Sequence, residues 1–295
     1  MADSAFAGAG FDALPPPEVA HKAEDVGVAK AGLPTLTKFT PAVLAGAFIA
    51  LGAIFSTTVA AGGSSLPFGV ARLLAGLAFS LGLILVVVAG AELFTGNNLI
   101  VMAWASRRVS SARLLRNWGI VYVGNFVGAL GTAGLMLAAR QYEFGKGEVG
   151  VTALSIGAAK TGLGFWQAIA LGILCNALVC LAVWLTYTAR TTTDRILAVV
   201  PPITAFVAAG FEHSVANMYF IPYALLVKDH TNFVAGASGE PDLSHLTVWR
   251  FLLHNLLPVT IGNVIGGGIL VGAVYWFAYS RPQSPRPVDG PTGHS

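Results

Sequence analysis

The chain has 295 residues, of which 55% are hydrophobic and only 11% are Asp, Glu, Lys or Arg, and its formal net charge is +3. Its mean hydropathy is +0.70. Soluble chains carry roughly a quarter charged residues, so this composition excludes a soluble globule and indicates a protein that crosses a lipid bilayer several times. The basic balance requires no nucleic-acid partner, because membrane proteins concentrate Lys and Arg on their cytoplasmic side.

The first predicted segment, residues 1–38, is more polar than the rest of the chain. It contains five acidic residues, three lysines and three consecutive prolines at 15–17. It lacks the basic-then-apolar order of a cleavable signal peptide. We therefore predict a cytoplasmic segment that contains a short amphipathic helix at the membrane interface. The apolar positions of this helix recur at helical spacing: Val19, Ala23, Val26 and Ala29.

Six membrane spans follow, in a channel domain predicted over 39–280. A spanning helix needs about 20 apolar residues, and the intervals between charged residues supply six such segments. Four are simple and lie near 41–61, 117–138, 163–187 and 252–278. The second span, about 70–106, contains Glu92, and the fifth, about 196–227, contains Glu212 and His213. These two spans are predicted to be broken in the middle.

The distribution of Lys and Arg predicts the orientation of the spans. With the N-terminus inside, the inner segments hold eleven of these residues and the outer segments hold six. Both termini are therefore predicted to be cytoplasmic, as an even number of spans requires. The last segment, residues 281–295, is rich in proline and polar residues and is predicted to be disordered.

An internal repeat relates the two broken spans. GAELFTGN at 90–97 matches GFEHSVAN at 210–217 at an offset of 120, and IALG at 49–52 matches IALG at 169–172 at the same offset. VGNFVG at 123–128 matches IGNVIG at 261–266 at an offset of 138. The chain is therefore predicted to contain two copies of three spans, about 40–139 and 160–280. Because three is odd, the second copy enters from the opposite side and the repeats are inverted.

The matched stretches within the repeat are predicted to build a pore. Irregular backbone at membrane depth is tolerated where it lines a cavity, so we expect the loops at 91–97 and 211–217 to be non-helical and to face each other across one pore. Glu92 and Glu212 are expected to accept hydrogen bonds from the freed loop amides. The matched Asn97 and Asn217 are assigned the same loop-structuring role.

His213 lies in the middle of the fifth span, and two interpretations stay open. It is either a core histidine whose ring is satisfied by a neighbouring carbonyl, or a pathway residue, because ionisable groups inside a membrane are expensive and often mark a pathway. Imidazole also exchanges protons near physiological pH. A membrane enzyme that uses Glu212, His213 and Ser214 is a weaker alternative, since consecutive residues point about 100° apart on a helix.

No metal site, cofactor or catalytic residue is predicted elsewhere in the sequence. Cys175 and Cys180 are five residues apart in one apolar run. This spacing turns them about 140° apart on a helix, so we interpret both as packing residues. His254 follows the exposed Arg250 by four residues and is interpreted as interfacial.

Four strings in this order resemble the formate–nitrite transporter family: GAELFTGN, LGILCNALVCLAVW, GFEHSVANMYFIP and PVTIGNVIGGG. The resemblance runs from about residue 20 to 280 and is greatest to the formate channels of the family. It implies an all-α, aquaporin-like protomer of six transmembrane helices, assembled as a homopentamer in which each protomer has its own pore. It also implies a bacterial cytoplasmic (inner) membrane protein that interacts with formate or related small anions and with protons, without a cofactor.

The resemblance also implies roles for individual residues of the pore. His213 would stand between two apolar constrictions, with Thr95 facing it and Asn263 making a hydrogen bond nearby. Lys160 would lie in the outer vestibule. The cytoplasmic-side constriction would hold Phe79, Leu83 and Leu93. The periplasmic-side constriction would hold Phe206, Asn176 and Val179.

The predicted function is transmembrane transport of formate, by a channel or by a proton-linked transporter. A small carboxylate crosses two apolar constrictions as an anion only at a desolvation cost of several kcal/mol, whereas the neutral acid does not carry this cost. Lys160 would raise the local anion concentration, and His213 would supply or exchange the proton. Nitrite or hydrosulfide as the main substrate remains the alternative, because the same pore chemistry serves any small monovalent anion.

Overall fold

The computed structural model describes residues 13–62, 66–230 and 241–281, and every regular element in these ranges is helical. The helices are α1 Pro16–Gly32, α2 Thr35–Ala60, α3 Phe68–Ala89, α4 Val101–Ala105, α5 Ser111–Ala138, α6 Glu148–Thr161, α7 Phe165–Thr188, α8 Thr192–Ala209, α9 Ser214–Lys228 and α10 Val248–Ser280. The predicted disorder of the C-terminal tail concerns residues outside the described ranges, apart from Arg281.

Six helices are long and apolar enough to cross a membrane, which confirms the all-α class: α2, α3, α5, α7, α8 and α10. The largest differences are at α2 and α5, which start at Thr35 and Ser111 and so begin six residues earlier than predicted. Charged residues marked the predicted boundaries, but basic side chains are tolerated near the ends of spanning helices because they reach toward the interface. The first turns of α5 accordingly include Arg113 and Arg116.

Two of the six helices end inside the bundle at left-handed glycines. Gly90 follows α3 with φ 81°, and Gly210 follows α8 with φ 78°. Glycine adopts this conformation without a steric penalty, and it commonly terminates helices. A single 3₁₀ turn, Gly96–Ile100, then leads into α4, whereas α9 begins directly at Ser214. The predicted non-helical stretches at 91–97 and 211–217 were therefore too long at their C-terminal ends.

Close helix contacts hold the bundle together. α2 packs against α3 and α5, and α7 packs against α10. At Gly128 of α5, an added Cβ atom would meet the carbonyl oxygen of Val43 at 1.9 Å. At Gly266 of α10, it would meet the carbonyl oxygen of Ile173 at 2.1 Å. Glycine at these positions lets the helix backbones approach each other, as small residues do at membrane helix interfaces.

The amphipathic helix predicted near the N-terminus is α1, but its apolar face packs on protein. Val19, Ala20 and Ala23 are buried together with Trp184 of α7. The ammonium group of Lys22 donates a hydrogen bond of 2.8 Å to the carbonyl of Tyr187. Partial burial, together with the nearby Arg195 and Arg190, lowers the pKa of the Lys22 side chain. Helix α1 therefore packs on the bundle.

Candidate functional site

Two cavities are stacked along α3. The first, which we call the Lys160 cavity, has a volume of about 320 Å³ and touches α3 at Arg72, Ala75 and Phe79. The second, which we call the Lys30 cavity, has a volume of about 240 Å³ and touches α3 at Leu83, Val86, Val87 and Gly90. Because a helix rises 1.5 Å per residue, Phe79 and Leu83 are about one turn apart. The cavities therefore follow one another along a common line through the bundle.

Apolar side chains separate the two cavities. The rings of Phe79 and Phe206 meet edge to face with centroids 5.6 Å apart, and both line the Lys160 cavity. Leu83 and Leu93 line the Lys30 cavity. The structure thus brings four of the six residues predicted for the constrictions to the junction. Phe79 lines the Lys160 cavity about one turn from Leu83, and its grouping with Leu83 and Leu93 stays a prediction.

His213 lies at this junction, is buried, and lines the Lys160 cavity. Its Nε2 atom is 2.9 Å from the hydroxyl oxygen of Thr95, the residue predicted to face it. Its Nδ1 atom accepts a hydrogen bond of 3.1 Å from the backbone N–H of Ala216, so the ring is the N-cap of α9. An accepting nitrogen carries no proton, so the neutral ring is protonated at Nε2. His213 therefore donates to Thr95 in this geometry.

The carboxylate of Glu212 is held by side chains. Lys160 Nζ is 2.8 Å from Glu212 Oε1. Asn217 and Asn255 donate to Glu212 Oε2 at 2.6 and 3.3 Å. The backbone carbonyl of Lys160 in turn accepts from Asn255 at 2.9 Å. In the described ranges no hydrogen bond from a loop amide to the Glu212 carboxylate is found, and the N–H groups of Phe211 and Glu212 donate to the carbonyls of Phe206 and Leu171.

Glu92 has a corresponding set of partners around the Lys30 cavity. Lys30 Nζ is 3.1 Å from Glu92 Oε1 and 2.8 Å from Asn97 Oδ1. Asn97 donates to Glu92 Oε2 at 2.7 Å and to Asn117 at 3.0 Å. Asn117 in turn donates to the backbone carbonyl of Lys30 at 3.1 Å. Here too the carboxylate binds an ammonium group and an amide side chain, and the prediction of loop amides as its partners was wrong.

Two asparagines bind the loop backbones. Asn125 accepts from the N–H of Phe94 at 2.9 Å and donates to the carbonyl of Glu92 at 2.9 Å. Asn263 accepts from the N–H of Ser214 at 2.9 Å and donates to the carbonyl of Glu212 at 3.0 Å. Buried backbone groups need such partners, since an unpaired one costs about 1–3 kcal/mol. Asn263 therefore lies beside His213, as predicted, but binds the backbone on either side of it.

Asn176 and Val179 lie behind the loops. Asn176 donates to the carbonyl oxygens of Thr95 and Asn263 at 3.3 and 2.7 Å, and to Asn98 Oδ1 at 3.0 Å. Val179 is buried in the core. Neither residue is among those that line the two cavities, and their place in the periplasmic-side constriction stays a prediction. Asn176 links the first loop to α10.

Sequence reasoning missed Lys30, Asn117, Asn125 and Asn255. The available signal was their spacing: Lys30 precedes Lys160 by 130 residues, and Asn117 precedes Asn255 by 138. The same offset of 130 relates the carbonyls of Ala42 and Gly172, which accept from Asn125 and Asn263 respectively. The IALG match at an offset of 120 does not pair equivalent contacts, so we interpret it as a chance match between two apolar helices.

No group of three or more His, Cys, Asp or Glu side chains that would hold a metal ion occurs in the described ranges. Cys175 and Cys180 are free and buried. Burial fits the packing role that we predicted for both cysteines. The ionisable residues that line the two cavities are the Lys–Glu pairs, Arg72, His213 and Tyr187.

The sequence matches the family model of the formate/nitrite transporters over residues 17–277. The formate channel FocA of Escherichia coli strain K12 is 46% identical over 274 residues, which cover 92% of this chain and 96% of that protein. FocA of Haemophilus influenzae is 39% identical over 263 residues, with 88% and 93% covered. A solved pentameric formate channel with formate bound superposes with a TM-score of 0.79 at 43% identity, covering 84% of this chain and 98% of that one. The chain that builds these two cavities therefore belongs to the formate/nitrite transporter family.

Proposed function

We propose that this protein transports formate across the bacterial cytoplasmic membrane, as a homopentamer with one pore in each protomer. The observation that carries the proposal is the pair of cavities stacked along α3, each with a Lys–Glu pair, which meet at apolar side chains beside His213. The relatives named above are formate channels, and the superposed structure is a pentamer. No enzymatic role is proposed.

An inverted repeat with broken second and fifth spans accounts for the paired contacts. Equivalent contacts recur at constant offsets of 130 near the first span, 120 in the loops and 138 in the third span. Because each repeat has three spans, the second copy lies in the opposite orientation. The excess of Lys and Arg then favours cytoplasmic termini and places the Lys160 cavity on the outer side.

The cavities and their junction favour passage of formate together with a proton. A charged solute loses hydration between Phe79, Phe206 and Leu83, at a cost of several kcal/mol, and the neutral acid avoids that cost. His213 presents its Nε2–H at this point. His213 can donate a net proton only from its doubly protonated form, which carries a proton at Nδ1. That nitrogen binds a proton only after the hydrogen bond from the N–H of Ala216 breaks. In the closed geometry, His213 and Thr95 act on the solute by hydrogen bonding.

The test is uptake of radiolabelled formate by liposomes that contain the purified protein, with protein-free liposomes as the control. We expect saturable uptake that unlabelled formate competes away more effectively than nitrite or hydrosulfide. Uptake no faster than in protein-free liposomes would overturn the proposal. Stronger competition by nitrite or hydrosulfide would instead reassign the substrate.

A further inference from the structure

Arg72 joins the first turns of α3 to the last turn of α8. Its Nε atom donates to the carbonyl of Ala208 at 3.1 Å, and its Nη2 atom donates to the carbonyl of Val207. The guanidinium group lies against Gly210, where an added Cβ atom would be 3.3 Å from Nη2. Arg72 also lines the Lys160 cavity. A fixed cation therefore stands in the wall of this cavity, about two helical turns from Phe79.

The side chains that line the Lys160 cavity carry a net positive charge, which comes from Arg72. Lys160 is neutralised by Glu212 at 2.8 Å. For Arg72, no carboxylate lies within 4.0 Å in the ranges 13–62, 66–230 and 241–281. Its partners are carbonyl oxygens, which carry partial charges at the C-terminal end of α8. The unbalanced full charge facing the Lys160 cavity is thus that of Arg72.

We propose that Arg72 recruits the permeant anion into the Lys160 cavity and is a positioning residue for transport. The inference deepens the proposed function, on which it rests, and the ligand class is a small monovalent carboxylate. A guanidinium group has five N–H donors, and the two carbonyl bonds leave three for an anion. A cation inside a narrow, low-dielectric mouth raises the local concentration of anions, so Arg72 supplies solute to the Phe79–Phe206 junction.

The experiment measures the initial rate of formate uptake into liposomes at one fixed pH for the wild type, Arg72→Gln and Arg72→Lys. The matched control is Lys146→Gln, which removes one positive charge from the exposed connection between α5 and α6. Ionic strength is varied from about 0.01 M to about 1 M, over which the screening length falls from about 30 Å to about 3 Å. Each variant is first checked for the oligomer and melting temperature of the wild type.

For Arg72→Gln at low ionic strength, we expect a fall of about 10-fold in uptake at subsaturating formate, the low end of the gain from electrostatic focusing. The loss shrinks to less than about 2-fold at high salt, where charges are screened. Arg72→Lys keeps most of the low-salt rate, and Lys146→Gln follows the wild type.

Two outcomes would overturn the inference while leaving formate transport in place. One is an Arg72→Gln protein with the same rates and salt dependence as the wild type. The other is an Arg72→Lys protein that loses as much uptake as Arg72→Gln. Transport would then depend on the two hydrogen bonds to the carbonyls of Ala208 and Val207 and not on the charge. A wild type without formate uptake would instead refute the proposed function itself.

Discussion

The ring of His213 caps a helix and also lines the Lys160 cavity. Nδ1 accepts from the N–H of Ala216, while Nε2 meets Thr95. The ring also stacks on Phe206, with centroids 5.9 Å apart. The N-cap position opposes a positive charge on the ring, because the N-terminal end of α9 is itself the positive end of the helix dipole. Protonating His213 therefore disturbs the start of α9.

This double role gives a prediction in which two substitutions differ. His213→Asn keeps an oxygen that accepts from Ala216, because Asn is a preferred N-cap residue, whereas His213→Phe loses the cap at a cost of about 1 kcal/mol. Both substitutions remove the titratable ring. We expect both variants to lose the part of the pH dependence of formate uptake that comes from the ring. This part lies at the acid end of the range between about pH 5 and 8, because the N-cap position opposes the charged form of the imidazole. We expect only His213→Phe to melt at a lower temperature.

The measurement is formate uptake into liposomes across this pH range, together with thermal unfolding in detergent. The control is the wild type prepared in the same way. An Asn variant whose pH profile matches that of the wild type would show that the ring does not exchange protons during transport.

For single residues, the sequence predicted those of the stretches 90–97 and 210–217 better than the side chains that bind them. Glu212 and His213 were located because they interrupt an apolar run. Lys30 was missed because its charge lies in a polar segment, where another lysine is unremarkable by composition. The constriction to which Phe79 belongs stays a prediction, because a sequence alone does not show which turn of a helix faces which cavity.

Among the elements, the contact of α2 with α5 gives a test with an internal control. Gly128→Ala drives a Cβ atom into the carbonyl of Val43, whereas at Gly131 no atom lies within 4 Å of an added Cβ. Overpacking costs about 1–3 kcal/mol. In an open helical position, Ala is favoured over Gly by up to about 1 kcal/mol. We therefore expect Gly128→Ala to lower the melting temperature and Gly131→Ala to keep or raise it.

Thermal unfolding of both variants in the same detergent checks this expectation. Equal melting temperatures would contradict the close approach of α2 and α5. A loss of oligomer in Gly128→Ala, with the oligomer kept in Gly131→Ala, would support it, since α5 must then have moved.

The spans were predictable because hydrophobic length is a property of each segment taken alone. The ends of the spans were less predictable, because α2 and α5 include Lys38 and Arg116. A charged residue marks the membrane boundary only approximately. The lengths of the loops depended on tertiary contacts. α9 begins at Ser214 because the His213 side chain caps it, and no local pattern distinguishes that histidine from one inside a loop.

For the whole molecule, we expect five copies of the 30.5 kDa chain in one particle. Large apolar side chains are exposed around the protomer, among them Phe68, Leu135 and Trp166 at 73–82%. Such a surface is covered by lipid or by other subunits. Native mass spectrometry in a mild detergent measures the number of chains directly. A monomer or a trimer as the largest stable particle would contradict the pentamer, with His213→Asn serving as a control that leaves the surface unchanged.

The position of α1 in the chain has a consequence for biogenesis. The ribosome delivers this helix first, yet its partners lie far downstream: Lys22 bonds to Tyr187, 165 residues later, and Val19 packs in one cluster with Tyr275 and Trp276. α1 therefore has no complete docking surface until the last span has been inserted. The half of α1 that carries Lys30 finds its partners earlier, at Glu92, Asn97 and Asn117. The lining of the Lys30 cavity is nevertheless incomplete until α7 supplies Val183 and Tyr187.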